Sequence, residues 1–177
     1  MSAWRSVPAA EVLRLLRSGE EVRSLQVSEE LNLRAVADGD DVRAPIRFID
    51  CSFGKVDVSF LQFQEPVRFE ACSIESLFGM SSYFLAGLVI ERCILASSTD
   101  LSCGGHNRGG HPIVLAESTF TAFVDFTDCW FEGPIVVRRC TFEGGTNLLG
   151  NRERPYRVTF DVAPVLEENR GQLDLDT

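Results

Sequence analysis

Cysteine is the residue with the clearest capacity for chemistry in this sequence, because four of its six cysteines stand at one place in a repeated phrase. The phrase first appears as PIRFIDCSF and occurs five times between positions 45 and 142. Its seventh place holds Cys51, Cys72, Cys93, Ser118 and Cys140. Stacked thiols are metal ligands in some proteins and disulfide partners in others.

The serine in the fourth copy of the phrase indicates that this place requires a small side chain rather than a thiolate. A stack along one wall cannot surround a metal tetrahedrally, and its parallel Cα–Cβ bonds do not converge as a disulfide requires. We therefore predict that these residues serve packing. We expect no cofactor, and we expect the thiols to remain reduced in a cytoplasmic protein.

The segment DLSCGGHNRGGHP, residues 100–112, holds both histidines of the chain and interrupts the repeat. Cys103, His106 and His111 have side chains that zinc prefers, and the glycines would let the backbone wrap around an ion. The spacing matches no common zinc signature, however, and a fourth ligand is not evident. We predict no metal here and interpret residues 97–111 as a surface loop used for recognition, with the three-ligand zinc site as the weaker alternative.

Two large aromatic residues flank this loop in the repeat. The register of the repeat places Tyr83 in the turn of the chain before the loop and Trp130 in the turn after it, both at outward places on one wall. Aromatic residues and arginine are common at binding hot spots. We therefore predict a binding surface formed by Tyr83, His106, Arg108, His111 and Trp130. The alternative is that the two aromatic rings simply lie under the loop and cover it.

No arrangement of residues typical of an enzyme is apparent. The sequence has no nucleophile near a histidine and a carboxylate, no phosphate-binding glycine motif after a strand, and no helix with paired metal ligands. The net charge of −9 disfavours direct nucleic-acid binding and is compatible with a basic protein partner. We predict a protein that is not an enzyme.

The elements that position these residues follow from a shorter period inside the phrase. Apolar or small residues occur as pairs, separated by one residue, and the pairs recur every five residues. A period of five fits neither a helix nor a flat strand, but it fits a coil with four sides of five residues each. Stacked coils would bury the large residues along a common axis. The pairs are Ile46/Phe48, Cys51/Phe53, Val56/Val58, Leu61/Phe63, Val67/Phe69, Cys72/Ile74, Leu77/Gly79, Ser82/Phe84, Leu88/Ile90 and Cys93/Leu95.

This cadence resembles that of the pentapeptide-repeat proteins over residues 46–142. The resemblance implies an all-β solenoid, namely a right-handed quadrilateral β-helix, and general crossover handedness agrees. The sequence departs from the family pattern at Gly79, where a large inward residue is expected, and between Leu95 and Ile113, where the cadence is lost. Some members of the family mimic DNA, bind type II topoisomerases such as gyrase, and protect them from quinolones or peptide toxins.

The two ends of the chain are predicted to cover the solenoid. Residues 1–20 should form a capping α-helix, with Ser6 as N-cap and Gly19 as the stop. Residues 21–145 form the β-helix with its loop at 97–111. Residues 146–177 should form a C-terminal cap, with RVTFDV as a strand and APVLEENRG as a short helix, or join two protomers in a homodimer as in some relatives.

We expect a rigid scaffold that binds a protein partner through an outer face and the loop, with a gyrase-binding DNA mimic as the alternative. A DNA mimic should concentrate carboxylates on its walls. One column instead reads Asp50, Glu70, Arg92, Glu117 and Arg139, which is mixed in sign. The apolar runs are too short to cross a membrane, and the N-terminus lacks the features of a signal peptide, so we predict a cytoplasmic protein without membrane contact.

Overall fold

The structure, a computed structural model, describes residues 4–150 and 157–174. One α-helix, α1 (Ala9–Arg17), and a 3₁₀ turn at Leu33–Val36 occur in this part of the chain. All other regular elements there are short strands. In chain order they are β1 (Arg5–Ser6), β2 (Val22–Arg23), β3 (Leu25–Asn32), β4 (Asp41–Val42), β5 (Ile46–Ile49), β6 (Ser52–Asp57), β7 (Gln62–Phe63), β8 (Val67–Glu70), β9 (Ser73–Phe78), β10 (Leu88–Glu91), β11 (Ile94–Leu95), β12 (Thr99–Asp100), β13 (Ile113–Ala116), β14 (Thr119–Phe120), β15 (Val124–Asp125), β16 (Trp130–Phe131), β17 (Ile135–Arg138), β18 (Thr141–Phe142), β19 (Thr159–Phe160), β20 (Val165–Glu167) and β21 (Arg170–Gly171).

The first sheet collects the opening strand of each repeated phrase. Its strands follow the order β2-β5-β8-β10-β13-β17-β20, and each pair is parallel. The register places the fourth residue of the phrase in one file, and all five residues of that file from the repeated phrases are buried, as the five-residue period predicts. The file comprises Phe48, Phe69, Ile90, Leu115 and Val137. Alternate residues of each strand point outward, because side chains in a strand alternate between its two faces.

The second sheet runs beside the first and divides into two rows. One row follows the order β1-β3-β6-β9-β11-β14-β18-β21. The other begins at the C-terminal halves of β3, β6 and β9 and continues through β12 and β15 to a bridge between Val124 and Thr146. These rows are parallel throughout, so successive turns of the chain stack directly on one another.

The remaining row carries the residues of functional interest. It starts with β4 and β7 and continues through bridges that join Gln62 to Tyr83, Tyr83 to Gly105, and Gly105 to Trp130. It ends with β16 paired to β19. Together the rows form an all-β parallel solenoid of about six turns, which confirms the predicted fold class at this level.

The lengthened turn is more regular than the sequence indicated. Leu88 pairs with Ile113, which confirms a turn of 25 residues at this point. Within the predicted loop 97–111, however, β12 is paired on both sides, and Leu101 and Gly104 are buried. The cadence therefore continues through this segment, and the extra residues are concentrated at 107–111.

Gly79, the predicted departure from the repeat, is compensated by the next turn. A Cβ atom at Gly79 would lie 2.9 Å from a methyl group of Leu101 and 3.1 Å from one of Val58. The leucine side chain therefore fills the space that a large inward residue at position 79 would have occupied. Packing between turns, rather than within one turn, closes the core here.

The N-terminal helix is confirmed, but its predicted cap is wrong. Ser6 lies in β1, paired with β3, and Pro8 holds the N-cap position without a side-chain hydrogen bond. The Glu29 carboxylate, which belongs to the first turn of the solenoid, accepts a hydrogen bond of 2.5 Å from the Ala9 backbone N–H. Gly19, with φ +71°, ends the helix as predicted. This helix is too short to cross a membrane, and none of the described residues forms a longer one.

The C-terminal helix predicted for APVLEENRG is wrong. Residues 165–167 and 170–171 are strands that add a further turn to the solenoid. The register aligns Leu166 with Val137 and shows that APVLEENRG is another, divergent copy of the repeated phrase. The predicted strand in RVTFDV is present as β19. Residues 151–156 and 175–177 of the predicted C-terminal segment lie outside the described residues.

Candidate functional site

Three aromatic rings form a file on the outer face of the remaining row, which runs from β4 to β19. The register of Tyr83, Gly105 and Trp130 brings the side chain of His106 between the tyrosine and tryptophan rings. The ring centroids of Tyr83 and His106 are 4.2 Å apart, and those of His106 and Trp130 are 5.4 Å apart. We call Tyr83, His106 and Trp130 the aromatic file. It brings together three of the predicted site residues.

His106 belongs to this surface because the backbone turns it out of the core. The register would otherwise continue the inward file of phenylalanines, in which Phe63 stacks on Phe84 and Phe131 on Phe160. Gly105 has φ +94° and His106 has φ +51°, and this left-handed pair reverses the direction of the side chain. A small apolar cavity of about 10 Å³ remains between Phe84 and Phe131.

Two carboxylates border the aromatic file. His106 Nδ1 lies 3.0 Å from Glu132 Oε1. Because an ionised carboxylate can only accept hydrogen bonds, Nδ1 carries the hydrogen and donates the hydrogen bond to Glu132. Trp130 Nε1 donates a hydrogen bond of 2.9 Å to Asp161. Glu132 and Asp161 follow the paired residues Phe131 and Phe160, so they are neighbours in adjacent turns.

The aromatic file is accessible from solvent. The tryptophan is 43% exposed, the histidine side chain 25% and that of Glu132 41%. The alternative in which the loop covers both flanking rings therefore does not hold for Trp130.

The Gly-rich turn beside the aromatic file is held rigidly at its base. Asn107 is fully buried and donates hydrogen bonds to the carbonyl oxygens of His111, at 3.0 Å, and Pro134, at 2.9 Å. His111 N–H donates to Arg108 O, which closes a tight turn. Arg108 and His111 are exposed in this turn, which follows His106 along the chain.

The weaker zinc alternative receives no support from the geometry. Cys103 is exposed and His106 is engaged with Glu132. Within residues 4–150 and 157–174, no group of three or more His, Cys, Asp or Glu side chains is placed to hold a metal ion.

The cysteine column is an internal packing element, as the serine in the fourth copy indicated. Its four cysteines are buried free thiols. Each small side chain of the column donates to a nearby carbonyl oxygen. Two of them also accept from a backbone N–H of the preceding turn: Cys93 Sγ from Cys72 at 3.4 Å and Ser118 Oγ from Cys93 at 3.0 Å. Burial raises the pKa of the Cys140 thiol, and in a separate position it raises that of Cys129 to about 12. The Cys129 and Cys140 thiols are therefore poor nucleophiles and poor metal ligands at neutral pH.

Charges on the first sheet are paired rather than uniformly acidic. Arg68 binds Glu70 at 2.9 Å and Glu91 at 2.7 Å, and Arg92 binds the same two carboxylates. The predicted column of Asp50, Glu70, Arg92, Glu117 and Arg139 is wrong at one position. Glu70 aligns with Ile49 and Glu91, so the residue that aligns with Asp50 and Arg92 is Ala71. The conclusion that this wall is mixed in sign stands.

Glu132, Asp161 and Asn107 are site residues that the sequence analysis did not identify. The signal for the two acids was present, because WFE at 130–132 and TFD at 159–161 share a buried phenylalanine followed by an outward carboxylate. Nothing in the sequence marks Asn107 as the buried anchor of a glycine turn.

Comparison of the chain with models of protein families, with curated proteins and with solved structures gave no match.

Proposed function

We propose that the chain is a non-catalytic protein-interaction module of the pentapeptide-repeat type. Inward pairs spaced by five residues, and four rows of stacked backbone, support a quadrilateral coil, and the general preference of parallel crossovers supports a right-handed one. The module is a rigid scaffold that binds a protein partner through the aromatic file and the Gly-rich turn.

The observation that carries this proposal is an exposed tryptophan held in a fixed file with a tyrosine and a histidine. Large aromatic side chains lose little conformational entropy on binding and supply much contact area. Their support on a parallel sheet adds rigidity, and a rigid surface loses less entropy when it forms a complex.

Affinity capture with chemical cross-linking tests the proposal. We expect a partner to be captured by the wild type and lost from Trp130→Ala. The control is Ile94→Ala, because Ile94 is 54% exposed but lies in the second sheet, on a different wall. Retention of every cross-linked partner by Trp130→Ala would remove the support for this surface.

A gyrase-binding DNA mimic is the second candidate, favoured by the net charge of −9. The paired arginines and carboxylates of the first sheet weigh against it, because they do not form a continuous acidic wall. A gyrase supercoiling assay with and without a quinolone distinguishes the two candidates. Absence of any effect at micromolar protein would eliminate the mimic.

Two further parts of the proposal concern the setting of the molecule. The six free cysteines support a reducing, cytoplasmic location. The parallel strands β19, β20 and β21 end the described solenoid, and open sheet edges favour pairing with another chain. We therefore propose that the chain forms a homodimer through its C-terminal segment. Sedimentation of the full chain would test this oligomeric state.

A further inference from the structure

The aromatic file and its two carboxylates offer a ligand almost only negative charge and hydrogen-bond acceptors. Glu132 and Asp161 are acceptors, and the faces of the tyrosine and tryptophan rings carry the negative side of their quadrupoles. With Nδ1–H directed to Glu132, the Nε2 atom of His106 is also an acceptor. The indole N–H of Trp130 is a donor, but Asp161 already accepts from it.

The two carboxylates lie side by side without an arginine or lysine partner among the described residues. They are in register in adjacent turns, where backbones are about 4.8 Å apart. Within the described residues, neither has a lysine or arginine nitrogen within ion-pair distance, and the only contact of this type is that of Glu132 with His106. Elsewhere on the molecule, Glu70, Glu91 and Glu117 are each paired with arginine. Unpaired like charges side by side are unfavourable, and a bound cation would relieve that repulsion.

We propose that Tyr83, His106, Trp130, Glu132 and Asp161 bind an arginine side chain from a basic segment of the protein partner. This inference rests on the proposed interaction function and names the chemistry of the partner. The guanidinium group lies on the exposed indole ring of Trp130 and donates to Glu132 and Asp161. The net charge of −9 favours the approach of a basic segment.

Arginine fits this surface better than lysine. A guanidinium group is planar, stacks on aromatic faces and donates through a fork that matches carboxylates, whereas an ammonium group is a compact and strongly hydrated point charge. Two carboxylates in adjacent turns, beside a flat ring, suit the planar fork. Anionic ligands are excluded by the same charges.

Titration of the full-length protein with short synthetic peptides tests the inference. The probes are Ac-Gly-Arg-Gly-Arg-Gly-NH₂ and the same peptide with citrulline or with lysine in place of arginine. The chain has two tryptophans, so two indole N–H signals are followed by NMR. Trp4 provides an internal control, because its indole also donates to an aspartate, Asp50, but it has no such aromatic file.

We expect the arginine peptide to shift the Trp130 signal saturably while the Trp4 signal stays in place. Citrulline, which is neutral, should give no shift, and salt at about 1 M should suppress binding because the Debye length falls to about 3 Å. Replacing both acids, Glu132→Gln with Asp161→Asn, should weaken binding about tenfold. Glu75→Gln with Glu143→Gln changes the net charge equally in the second-sheet region, and it should leave binding unchanged.

Equal shifts from the citrulline peptide, or no shift from the arginine peptide, would overturn the inference. Equal binding of the lysine peptide would overturn its assignment to a guanidinium group.

The peptide titration does not depend on partner capture. If Trp130→Ala loses its cross-linked partner but the arginine peptide does not bind, the interaction function stands and the arginine site fails. If the peptide binds but Trp130→Ala keeps every partner, the interaction function through this surface fails instead.

Discussion

Two threonines in one inward file illustrate how single atoms decide the stability of this core. Thr99 and Thr146 occupy the same file, each bridged to Val124 in the turn between them. Thr146 Oγ1 donates to the carbonyl oxygen of Val124 at 2.8 Å and accepts from the Leu148 N–H. Thr99 Oγ1 is buried and has no hydrogen-bond partner among the described residues. A buried hydroxyl without a partner destabilises the folded state.

The substitution Thr99→Val should therefore stabilise the protein. It replaces the unpaired hydroxyl by a methyl group of similar size, and we expect a gain of about 1 kcal/mol in the free energy of unfolding. Thr146→Val removes two hydrogen bonds in the same file and should cost about 1 kcal/mol or more. Denaturant unfolding measures both. Equal effects of the same sign would contradict this account of the file.

The cysteines should differ sharply in reactivity. Cys103 is exposed, whereas Cys51, Cys72, Cys93, Cys129 and Cys140 are buried. We expect a thiol reagent to modify one cysteine rapidly in the native protein and the other five only after unfolding, because the reagent cannot reach a buried sulfur atom in the folded state. Mass spectrometry of labelled peptides identifies the site. Rapid labelling of Cys129, whose pKa is raised to about 12, would contradict the packing described here.

At the scale of single elements, the glycine turn shows why residue types alone do not identify an anchor. Asn107 ties the turn to the body of the solenoid with side-chain hydrogen bonds, although its neighbours have the composition of an ordinary surface loop. At Gly109, by contrast, an added Cβ would meet nothing within 4 Å. The two positions are two residues apart but differ in burial and in their contacts.

We expect Asn107→Ala to lower the free energy of unfolding by about 2 kcal/mol, because it removes the hydrogen bonds that this buried side chain donates to the His111 and Pro134 carbonyl oxygens. Gly109→Ala should be nearly neutral and serves as the matched control. Thermal unfolding measures stability, and amide hydrogen exchange at residues 108–111 reports whether the turn has loosened. If Asn107→Ala unfolded at the wild-type temperature and kept its exchange protection, the asparagine would not be the anchor of the turn.

The sequence was most informative where its period was strict. The file from Phe48 to Val137 and the helix from Ala9 follow from spacing alone, because burial of large residues at fixed intervals determines these elements. The last turn was missed because APVLEENRG has Pro in the place of the first inward residue and Asn in the place of cysteine. Asn169 nevertheless replaces the small residue in the column. Its side chain accepts a hydrogen bond from Cys140 N–H and donates one to Val137 O.

The outward direction of His106 could not have been predicted from the period. The cadence places it inside, and only the left-handed backbone of Gly105 and His106 turns the ring to the surface. The candidate site was therefore found through its flanking aromatics, and its chemistry became clear only from the pairing between turns. Asp161 belongs to it through a contact with a residue 31 positions away.

At the scale of the whole molecule, stacked turns bring charged residues from distant parts of the chain into ladders. Arg68, Glu70, Glu91 and Arg92 form a closed network across two turns. Isolated surface ion pairs contribute little to folding stability, but networks with fixed geometry contribute more.

Hydrogen bonding to Arg68 lowers the pKa of Glu70, and hydrogen bonding to Arg139 lowers that of Glu117. For Asp125, burial opposes the change, but hydrogen bonds from Thr127 and Asn147 lower its pKa overall.

These lowered pKa values predict a loss of stability in acid. A carboxyl group whose pKa is lower in the folded state stabilises the protein above its unfolded pKa, and that contribution disappears as the pH falls through the folded value. The melting temperature should therefore decrease as the pH falls below about 4.5, the region where an unperturbed glutamate takes up a proton.

Glu70→Gln should have a lower melting temperature than the wild type at about pH 7 and nearly the same one at about pH 3, because the wild-type carboxylates are then protonated. Glu75→Gln changes the net charge equally at an exposed position, and its melting curve should follow the wild type at both pH values. A constant difference between Glu70→Gln and the wild type across this range would show that the carboxylate network does not govern acid stability.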